Sequence, residues 1–549
     1  MKRRRFGAAT LAALAAPVVG GVGCALQPAG RPAAAEAAAA SEPSDATATP
    51  PTPPGSPDHP PPAPREFRAA WVATVANIDW PSRPGLSAAA LRAEALALLD
   101  TAQGLGLNAL VLQVRPAGDA IYPSTLEPWT EFLSGEQGRP PWLPGEAAWD
   151  PLAFWVDEAH RRGMELHAWF NPYRARHSAA RSPLVAPHIA LREPGVVKAY
   201  GEMLWMDPAE PAAVAQTLAV VADVLRRYDI DGVHIDDYFY PYPVPAPGAR
   251  DGAELPFPDD AAWARYQARG GTLARDDWRR AQVDHMVQAL QRTVRETRAD
   301  VRFGISPFGL PRPDRRPAGI TGFSQFDKLY ADAEKWLENG WLDYWVPQLY
   351  WPIARVGQQF PVLLDYWLAQ NPQQRHLWPG LFTSRVGTAG VAAQGVPGNI
   401  WPAREIADQL ALLRSRPAAG GHIHFSLIAL HQNRDGLATL LRQGTYTTPA
   451  LVPATPWLSA PAVGLPGLRR MNGPAGLRVR IEAAQAGAAP QRWAVWRRLP
   501  ATGTATAPRW VFSALGPAER EIDPEGADLV WVQGQNRVGQ LGPRALVHL

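Results

Sequence analysis

"GVHIDDYFYP", residues 232–241, is a short apolar run that ends in two adjacent carboxylates, Asp236 and Asp237, before aromatic and proline residues. Upstream, "PAAVAQTLAVVADVLRRY" (211–228) repeats apolar residues at three- and four-residue spacing, and "WRRAQVDHMVQALQRTVRET" (278–297) does so downstream. That spacing gathers apolar side chains on one face of a helix, whereas a short dense run with β-branched residues reads as a buried strand. The stretch is therefore a strand between two helices, the unit from which parallel sheets are wound.

The unit recurs along the chain. Strand-like runs lie at 67–74, 108–116, 164–172, 232–238, 301–308, 342–350, 376–384 and 421–428. Helix candidates such as "SAAALRAEALALLDTAQGLG", "PLAFWVDEAHRRG" and "AREIADQLALLRSR" fall between them. Eight βα repeats over residues 65–445 predict a (β/α)8 TIM barrel with insertions in its upper loops, since such barrels run from about 250 to more than about 400 residues. An open doubly wound sheet would show a glycine-rich phosphate turn after its first strand, but that strand runs into "VANIDWPSRPG". Over residues 450–549 the pattern changes to short runs such as "LRVRIEAA" and "QRWAVWRRL" with no long helix. These predict a β-sandwich accessory domain of immunoglobulin or fibronectin type III kind, with Trp493 and Trp496 in its core.

At 549 residues the chain exceeds one ordinary core. Lys2, Arg3, Arg4 and Arg5 precede an apolar stretch that is too short and too rich in Gly and Ala to span a membrane, so residues 1–23 read as a signal peptide. "RRRF" resembles a twin-arginine export signal, and the sole cysteine, Cys24, follows Gly23 in a setting that resembles a bacterial lipoprotein signal. A lone cysteine forms no intramolecular disulfide, and lipidation gives it a role. Residues 24–64 are an Ala/Pro-rich linker with too little apolar surface to fold, expected to be a disordered, semi-rigid spacer. The chain is thus expected to be exported to the cell envelope, lipid-anchored to a membrane and facing the periplasm. Its 54 basic and 51 acidic residues include four basic ones before Cys24, leaving 50 against 51 after processing. No nucleic-acid partner is expected from that balance.

In a barrel the chemistry sits at the C-terminal strand ends, and side chains alternate between inside and outside. Read this way, the strand ends offer Gln113 and Arg115, His167 and Asn171, His234 and Asp236, and Gln348 and Tyr350, with Tyr238 and Trp351 beside them. A buried polar group left unpaired costs roughly 1–3 kcal/mol, so their convergence points to something bound. The fourth strand alone carries carboxylates at its tip, while Asp79 and Asp119 lie a few residues beyond the first and second strands. Neighbouring carboxylates push their protonation apart, and glycoside hydrolysis needs one carboxylic acid for the leaving oxygen and a second group at the anomeric centre. The chain also holds 22 tryptophans, of which Trp80, Trp129, Trp169, Trp345, Trp351, Trp378 and Trp401 flank strand ends and could offer flat faces to sugar rings. No HExxH pattern or close Cys/His cluster is present, so neither a metal nor a cofactor is expected.

The blocks "EFRAAWVATVANIDWPS", "LQVRPAGDAIYPS", "WDPLAFWVDEAHRRGMELHAWFNPYR", "DGVHIDDYFYPYP", "DWRRAQVDHMV" and "FGISPFG" resemble, in order, the bacterial family 10 glycosyl hydrolase-like proteins. That family includes envelope lipoproteins that cut peptidoglycan glycan strands. The resemblance implies a glycosidase barrel acting on cell-wall glycans, and it carries the family's motifs onto Asp236 and Asp237, His167 and Asn171, and Arg115 and Asp119. The expected activity is hydrolysis of N-acetylated glycan strands. Asp237 would be the general acid/base, and Asp236 would orient an acetamido group that serves as internal nucleophile, held by Asn171 and Tyr350. Three alternatives stay open: double displacement with Asp236 as nucleophile and Asp237 or Asp119 as acid, action on another polysaccharide, and glycan binding without catalysis.

Overall fold

β1 (Phe67–Val72) and β2 (Ala109–Arg115) are buried at every position, as expected of strands covered on both faces. In the computed structural model, which describes residues 58–248, 252–387, 400–473, 476–482, 484, 486–501 and 507–549, they start a parallel sheet. β3 (Glu165–Phe170), β4 (Gly232–Ile235), β5 (Arg302–Ile305), β6 (Tyr344–Trp345), β7 (His376–Leu377), β8 (Gly380–Leu381) and β9 (Gly421–His424) complete it. The nine strands lie in the order β7-β6-β5-β4-β3-β2-β1-β9-β8. The expected signal peptide, Cys24 and the linker up to residue 57 lie outside the described residues.

Only Trp378 and Pro379 separate β7 from β8, so one segment carries both edges of the sheet. On one side Trp378 N–H donates to Trp345 O at 2.9 Å, and on the other Ile423 N–H donates to Pro379 O at 3.1 Å. The expected seventh strand is thus two short ladders turned to opposite neighbours. The expected sixth strand forms a ladder only over Tyr344–Trp345, with isolated bridges from Gln348 to Phe308 and Gly380 extending the pairing.

Alternation along the strands sorts side chains into two clusters. Ala69, Trp71, Ala109, Val111, Trp169, Tyr344, Trp378 and Ile423 gather inside, while Ala70, Leu110, Leu112, Phe170, Val233, Ile235 and Phe303 face the helices. Phe67 stacks on Trp378 with ring centroids 3.8 Å apart and lies 6.4 Å from Tyr344, contacts that span the interior of a strongly curled sheet. Gly232 and Gly304 make room there. A Cβ on Gly232 would lie 2.3 Å from the His167 ring, and one on Gly304 would lie 2.1 Å from the Tyr344 ring.

Helices α1 (Ala88–Gly104), α2 (Pro151–Arg161), α3 (Pro211–Arg227), α4 (Arg275–Thr297), α5 (Ala333–Glu338), α6 (Phe360–Ala369) and α7 (Ala403–Arg414) fill the connections. Local chemistry sets where they begin. Ser87 Oγ accepts the N–H of Ala90 ahead of α1, and Asp150 accepts those of Leu152 and Ala153 around Pro151 at the start of α2, caps worth about 1 kcal/mol each. Along α1 the buried stripe is Leu91, Ala95, Leu98, Leu99 and Ala102, the helical spacing of one face.

The C-terminal strands are β10 (Gly467–Gly473), β11 (Gly476–Glu482), β12 (Arg492–Leu499), β13 (Arg509–Leu515), β14 (Glu521–Ile522), β15 (Leu529–Gln535) and β16 (Leu541–His548). They form two small antiparallel sheets, β10-β11-β14 and β13-β12-β15-β16. Val479, Ile481, Trp493, Val495, Ile522, Val530 and Val532 form their shared core. On the far face of the larger sheet, Trp496, Leu529 and Trp531 pack against Leu451 and Ala63. The last residues of the expected linker lie on this face too: Asp58 pairs with Arg498, and the His59 ring is 5.6 Å from that of Trp531. Arg537 reaches from this region to Asp231 Oδ1 and Asp229 Oδ1, each at 2.6 Å. Asp231 precedes β4 and Asp236 follows it, so the C-terminal sheets cover the end of the parallel sheet opposite the carboxylate pair.

Candidate active site

β4 sends Val233 and Ile235 outward to the helices, and His234 inward. One further step in the same alternation carries Asp236 to the open end. Both Asp236 and Asp237 are 3 % exposed. Asp236 Oδ2 accepts the indole N–H of Trp169 at 3.0 Å, and Asn171 Nδ2 lies 3.3 Å from each of its oxygens. Burial pushes the Asp236 carboxyl up to about 7; the charge of Arg174 and these donors oppose the rise, and the neighbouring Asp237 adds to it. Burial also raises Asp237 above the usual carboxylate range, against hydrogen bonds from Tyr242 and Gln348.

The two carboxyls therefore sit in different company. The partners of Asp236, namely Trp169, Asn171 and Arg174, are all buried. Those of Asp237, Tyr242 and Gln348, are half-exposed. Asp237 is thus the carboxyl whose surroundings open toward solvent, and Asp236 is the one clamped from behind.

Arg174 and Tyr242 are the residues beside the carboxylates that strand alternation missed: Arg174 opens a short separate strand, Arg174–Arg176, beyond the end of β3, and Tyr242 lies in the loop after β4. Asn171 Oδ1 accepts the backbone N–H of Arg174 at 2.8 Å, so one side chain both holds Asp236 and shapes the turn that presents the arginine. The Arg174 guanidinium lies 4.2 Å over the Tyr238 ring and donates to Pro116 O at 3.3 Å. The signal that could have found Tyr242 is the unusual aromatic density of "YFYPYP" directly after the carboxylates.

Half-exposed rings line the same end. Tyr238 and Tyr242 are 5.6 Å apart, Tyr242 stacks on Phe323 at 5.2 Å, Phe323 meets Phe308 at 5.0 Å, and Phe308 meets Trp351 at 5.7 Å. Tyr350 stacks on Phe382 at 4.7 Å and lies near Phe425. The flat surface is mainly Tyr and Phe. Of the tryptophans expected to supply it, Trp80, Trp345 and Trp378 are fully buried, and Trp169 serves Asp236 as a donor.

The remaining candidates separate cleanly. Asn171 and Gln348 touch the carboxylates directly, Tyr238 joins them through Arg174, and Tyr350 lies within range of both charges. Arg115 turns away. The register of β2 on β3 shifts between Gln113 and Arg115, a bulge that re-aims the side chain, and its guanidinium forms a buried pair with Glu127 and donates to Asn171 O at 2.7 Å. It supports the loop bearing Asn171 from behind. Asp119 Oδ1 accepts Ala117 N–H in its own turn at 2.9 Å, and Asp79 binds Ala73 N–H and Ser426 Oγ. His234 and His167 lie below the mouth, both within hydrogen-bond reach of the Tyr344 hydroxyl.

Comparison with known proteins identifies the family. The sequence profile described as glycosyl hydrolase-like 10 matches residues 66–395. Glycosyl hydrolase YngK of Bacillus subtilis (strain 168) is 38 % identical over 418 residues, covering 74 % of this chain and 77 % of its own. Glycosyl hydrolase DigH of Escherichia coli (strain K12) is 33 % identical over 341 residues, covering 58 % of this chain and 74 % of its own. Among solved structures, the glycoside hydrolase domain of PgaB (BpsB) from Bordetella bronchiseptica is 14 % identical with a TM-score of 0.43, covering 68 % of this chain and 98 % of that one.

Proposed function

This chain belongs to the glycosyl hydrolase-like 10 family and is a glycoside hydrolase, and from that premise we propose that it cleaves N-acetylated glycan strands of peptidoglycan by a substrate-assisted route. The observation that carries the reading is the split environment of Asp236 and Asp237, one clamped by buried donors and the other bordered by half-exposed groups. We read the curled sheet as a closed (β/α)8 barrel and the C-terminal sheets as an accessory β-sandwich. The N-terminal sequence supports an exported protein anchored through Cys24 in the cell envelope.

In this mechanism Asp237, protonated at the start, gives its proton to the glycosidic oxygen as the bond to the anomeric carbon breaks. The acetamido oxygen of the same sugar attacks that carbon, closing an oxazolinium ring. Asp236 accepts the acetamido N–H and stabilises the positive charge that develops on the ring, an interaction strengthened by exclusion of water. Water then opens the ring while Asp237 takes back a proton. Asn171 and Tyr350 border the space for the acetamido group, and the aromatic rows offer faces on which neighbouring sugars can pack.

The test is to assay Asp236→Asn and Asp237→Asn on purified, peptide-free glycan strands, with products identified by mass spectrometry. Each variant is expected to lose about 100-fold or more in kcat. Undiminished cleavage by either variant removes that residue's role. De-N-acetylated strands separate the mechanisms: they resist cleavage if the acetamido group is the nucleophile, and are cut normally if Asp236 attacks directly.

A further inference from the structure

A row of buried polar side chains runs down the interior beneath the carboxylate pair. Trp71 Nε1 lies 3.2 Å and Ser306 Oγ 3.0 Å from His234 Nε2. His234 Nδ1 is 3.2 Å from the Tyr344 hydroxyl, which is 2.9 Å from His167 Nδ1. His167 Nε2 is 3.1 Å from Glu165 Oε2, and Arg302 donates to the same oxygen at 2.9 Å. Arg302 Nε continues the row to Thr455 Oγ1 at 2.8 Å, at the end covered by the C-terminal sheets.

The hydrogens of this row can be assigned from its ends. An indole nitrogen only donates, so His234 Nε2 accepts from Trp71, and the His234 proton sits on Nδ1 and points at the Tyr344 oxygen. The tyrosine's own hydrogen then goes to His167 Nδ1. His167 carries its proton on Nε2 and donates to Glu165, which its pairing with Arg302 makes an acceptor. Starting from Glu165 gives the same pattern, and it is the arrangement in which the ring N–H of each histidine and the Tyr344 hydroxyl hydrogen all meet an acceptor, as buried polar groups require. The space is reserved as well, because Gly232 and Gly304 face the rings of His167 and Tyr344 where any Cβ would collide.

His234 in turn stands between two indoles. Trp71 meets its ring edge-on at 5.8 Å and Trp169 at 6.5 Å with planes at 90°, and Trp169 is the donor to Asp236. We propose that Tyr344 is a positioning residue: its hydroxyl fixes the tautomer and plane of His234, which holds Trp169 so that the indole N–H is aimed at Asp236. The name rests on the reading of Asp236 and Asp237 as the reacting pair, but the geometry does not.

The test uses the full chain labelled with 15N-histidine and 13C-aspartate. In the unsubstituted protein NMR should find the proton of His234 on Nδ1 and that of His167 on Nε2. Tyr344→Phe keeps the ring and removes the hydroxyl. The groups that face Asp236 are Arg174, Asp237, Tyr350, Tyr242, Trp169 and Asn171, none of which this substitution replaces. Loosening Trp169 removes a donor to the carboxylate, so the Asp236 titration midpoint should rise by roughly half a unit or more. On glycan strands kcat should fall about tenfold with KM within about twofold. A His234 proton on Nε2, or an Asp236 midpoint unmoved in Tyr344→Phe, overturns the proposal. Should Tyr344→Phe not fold, Trp71→Phe removes the donor at the other end and reads the same shift. Lack of hydrolysis by the unsubstituted chain would sink the functional reading alone, since the tautomers and the titration still decide this one.

Discussion

Trp169 and Asp236 are joined across neighbouring strands by an indole-to-carboxylate hydrogen bond of 3.0 Å, and that bond works against the burial of the carboxyl. Burial alone would keep Asp236 protonated, but its buried donors and the charge of Arg174 pull the other way, which leaves it titrating at about 7. The site is balanced rather than strongly acidic or basic. Small changes in its surroundings should therefore move the pH range over which it works.

Arg174 offers the first such change. Of the groups that lower the Asp236 pKa its charge ranks first, so Arg174→Met should push the carboxyl above 7. If Asp236 must be ionised to accept the acetamido N–H, the acid limb of the kcat/KM profile moves to higher pH and activity near neutrality drops. Arg174→Lys keeps the charge and should keep the limb, while losing the flat contact with Tyr238. Profiles measured between about pH 5 and 9 check both; a limb that does not move in the Met variant removes Arg174 from the control of Asp236.

Tyr242 separates protonation from binding. Its hydroxyl donates to Asp237 and its ring stacks on Phe323. The hydrogen bond favours the ionised carboxylate, so Tyr242→Phe should raise the Asp237 pKa and move the limb of the profile that Asp237 governs to higher pH, with KM little changed. Tyr242→Ala also removes the stacking surface, and its KM should rise by about five- to tenfold if that wall carries a sugar. Equal KM in the two variants would show that the ring contacts no substrate.

Much of the sheet was legible because buried parallel strands are short, apolar and separated by helices of clear period. β1 and β2 begin within a residue of their expected starts for that reason. Alternation also places Asn171 and Asp236 correctly on one side. It fails at Arg115, where a bulge, invisible in the residue pattern, interrupts the count and turns the side chain to Glu127. It fails again for Arg174 and Tyr242: Arg174 belongs to a short antiparallel strand outside the parallel sheet, paired with Trp205, and Tyr242 follows a turn after β4, so neither lies on the strands whose periodicity was read. His167 is on the inward face as expected, but depth along the strand decides its neighbours, and two residues below Trp169 it meets Tyr344 and Glu165.

Asp119 makes a stability prediction whose sign follows from linkage. Burial raises its carboxyl from 3.8 to about 7, so between those values the folded chain holds a proton that the unfolded chain releases. Stability from this group is fully present below the unfolded value, falls as pH rises through about 7, and changes no further once both states are ionised. Asp119→Asn removes the penalty and can keep the bond from Ala117 N–H. Thermal or denaturant unfolding should find the two chains similar near pH 4 and the variant more stable at pH 8, by up to roughly 4 kcal/mol. Hydrolysis retained in the variant would also exclude Asp119 as the acid.

Arg537 tests the opposite end of the molecule. Its guanidinium leaves the C-terminal region to bind Asp231 Oδ1, Asp229 Oδ1 and Ile230 O. Asp231 is itself buried, with His160 at 2.7 Å and Leu166 N–H at 2.8 Å as its other partners. His160 and Arg537 together hold its carboxyl below the usual range despite burial, so the pairing contributes stability above the unfolded carboxylate pKa and loses it in acid. Removing one partner of a buried pair costs about 3–5 kcal/mol, because the other charge stays behind. Arg537→Met should approach the lower figure, since His160 remains, and should open the segment around residue 450 to protease. Asp231→Asn in the same chain should recover part of the loss. A double-mutant cycle in which the two losses simply add would show that the ion pair does not fasten the C-terminal sheets to the parallel sheet.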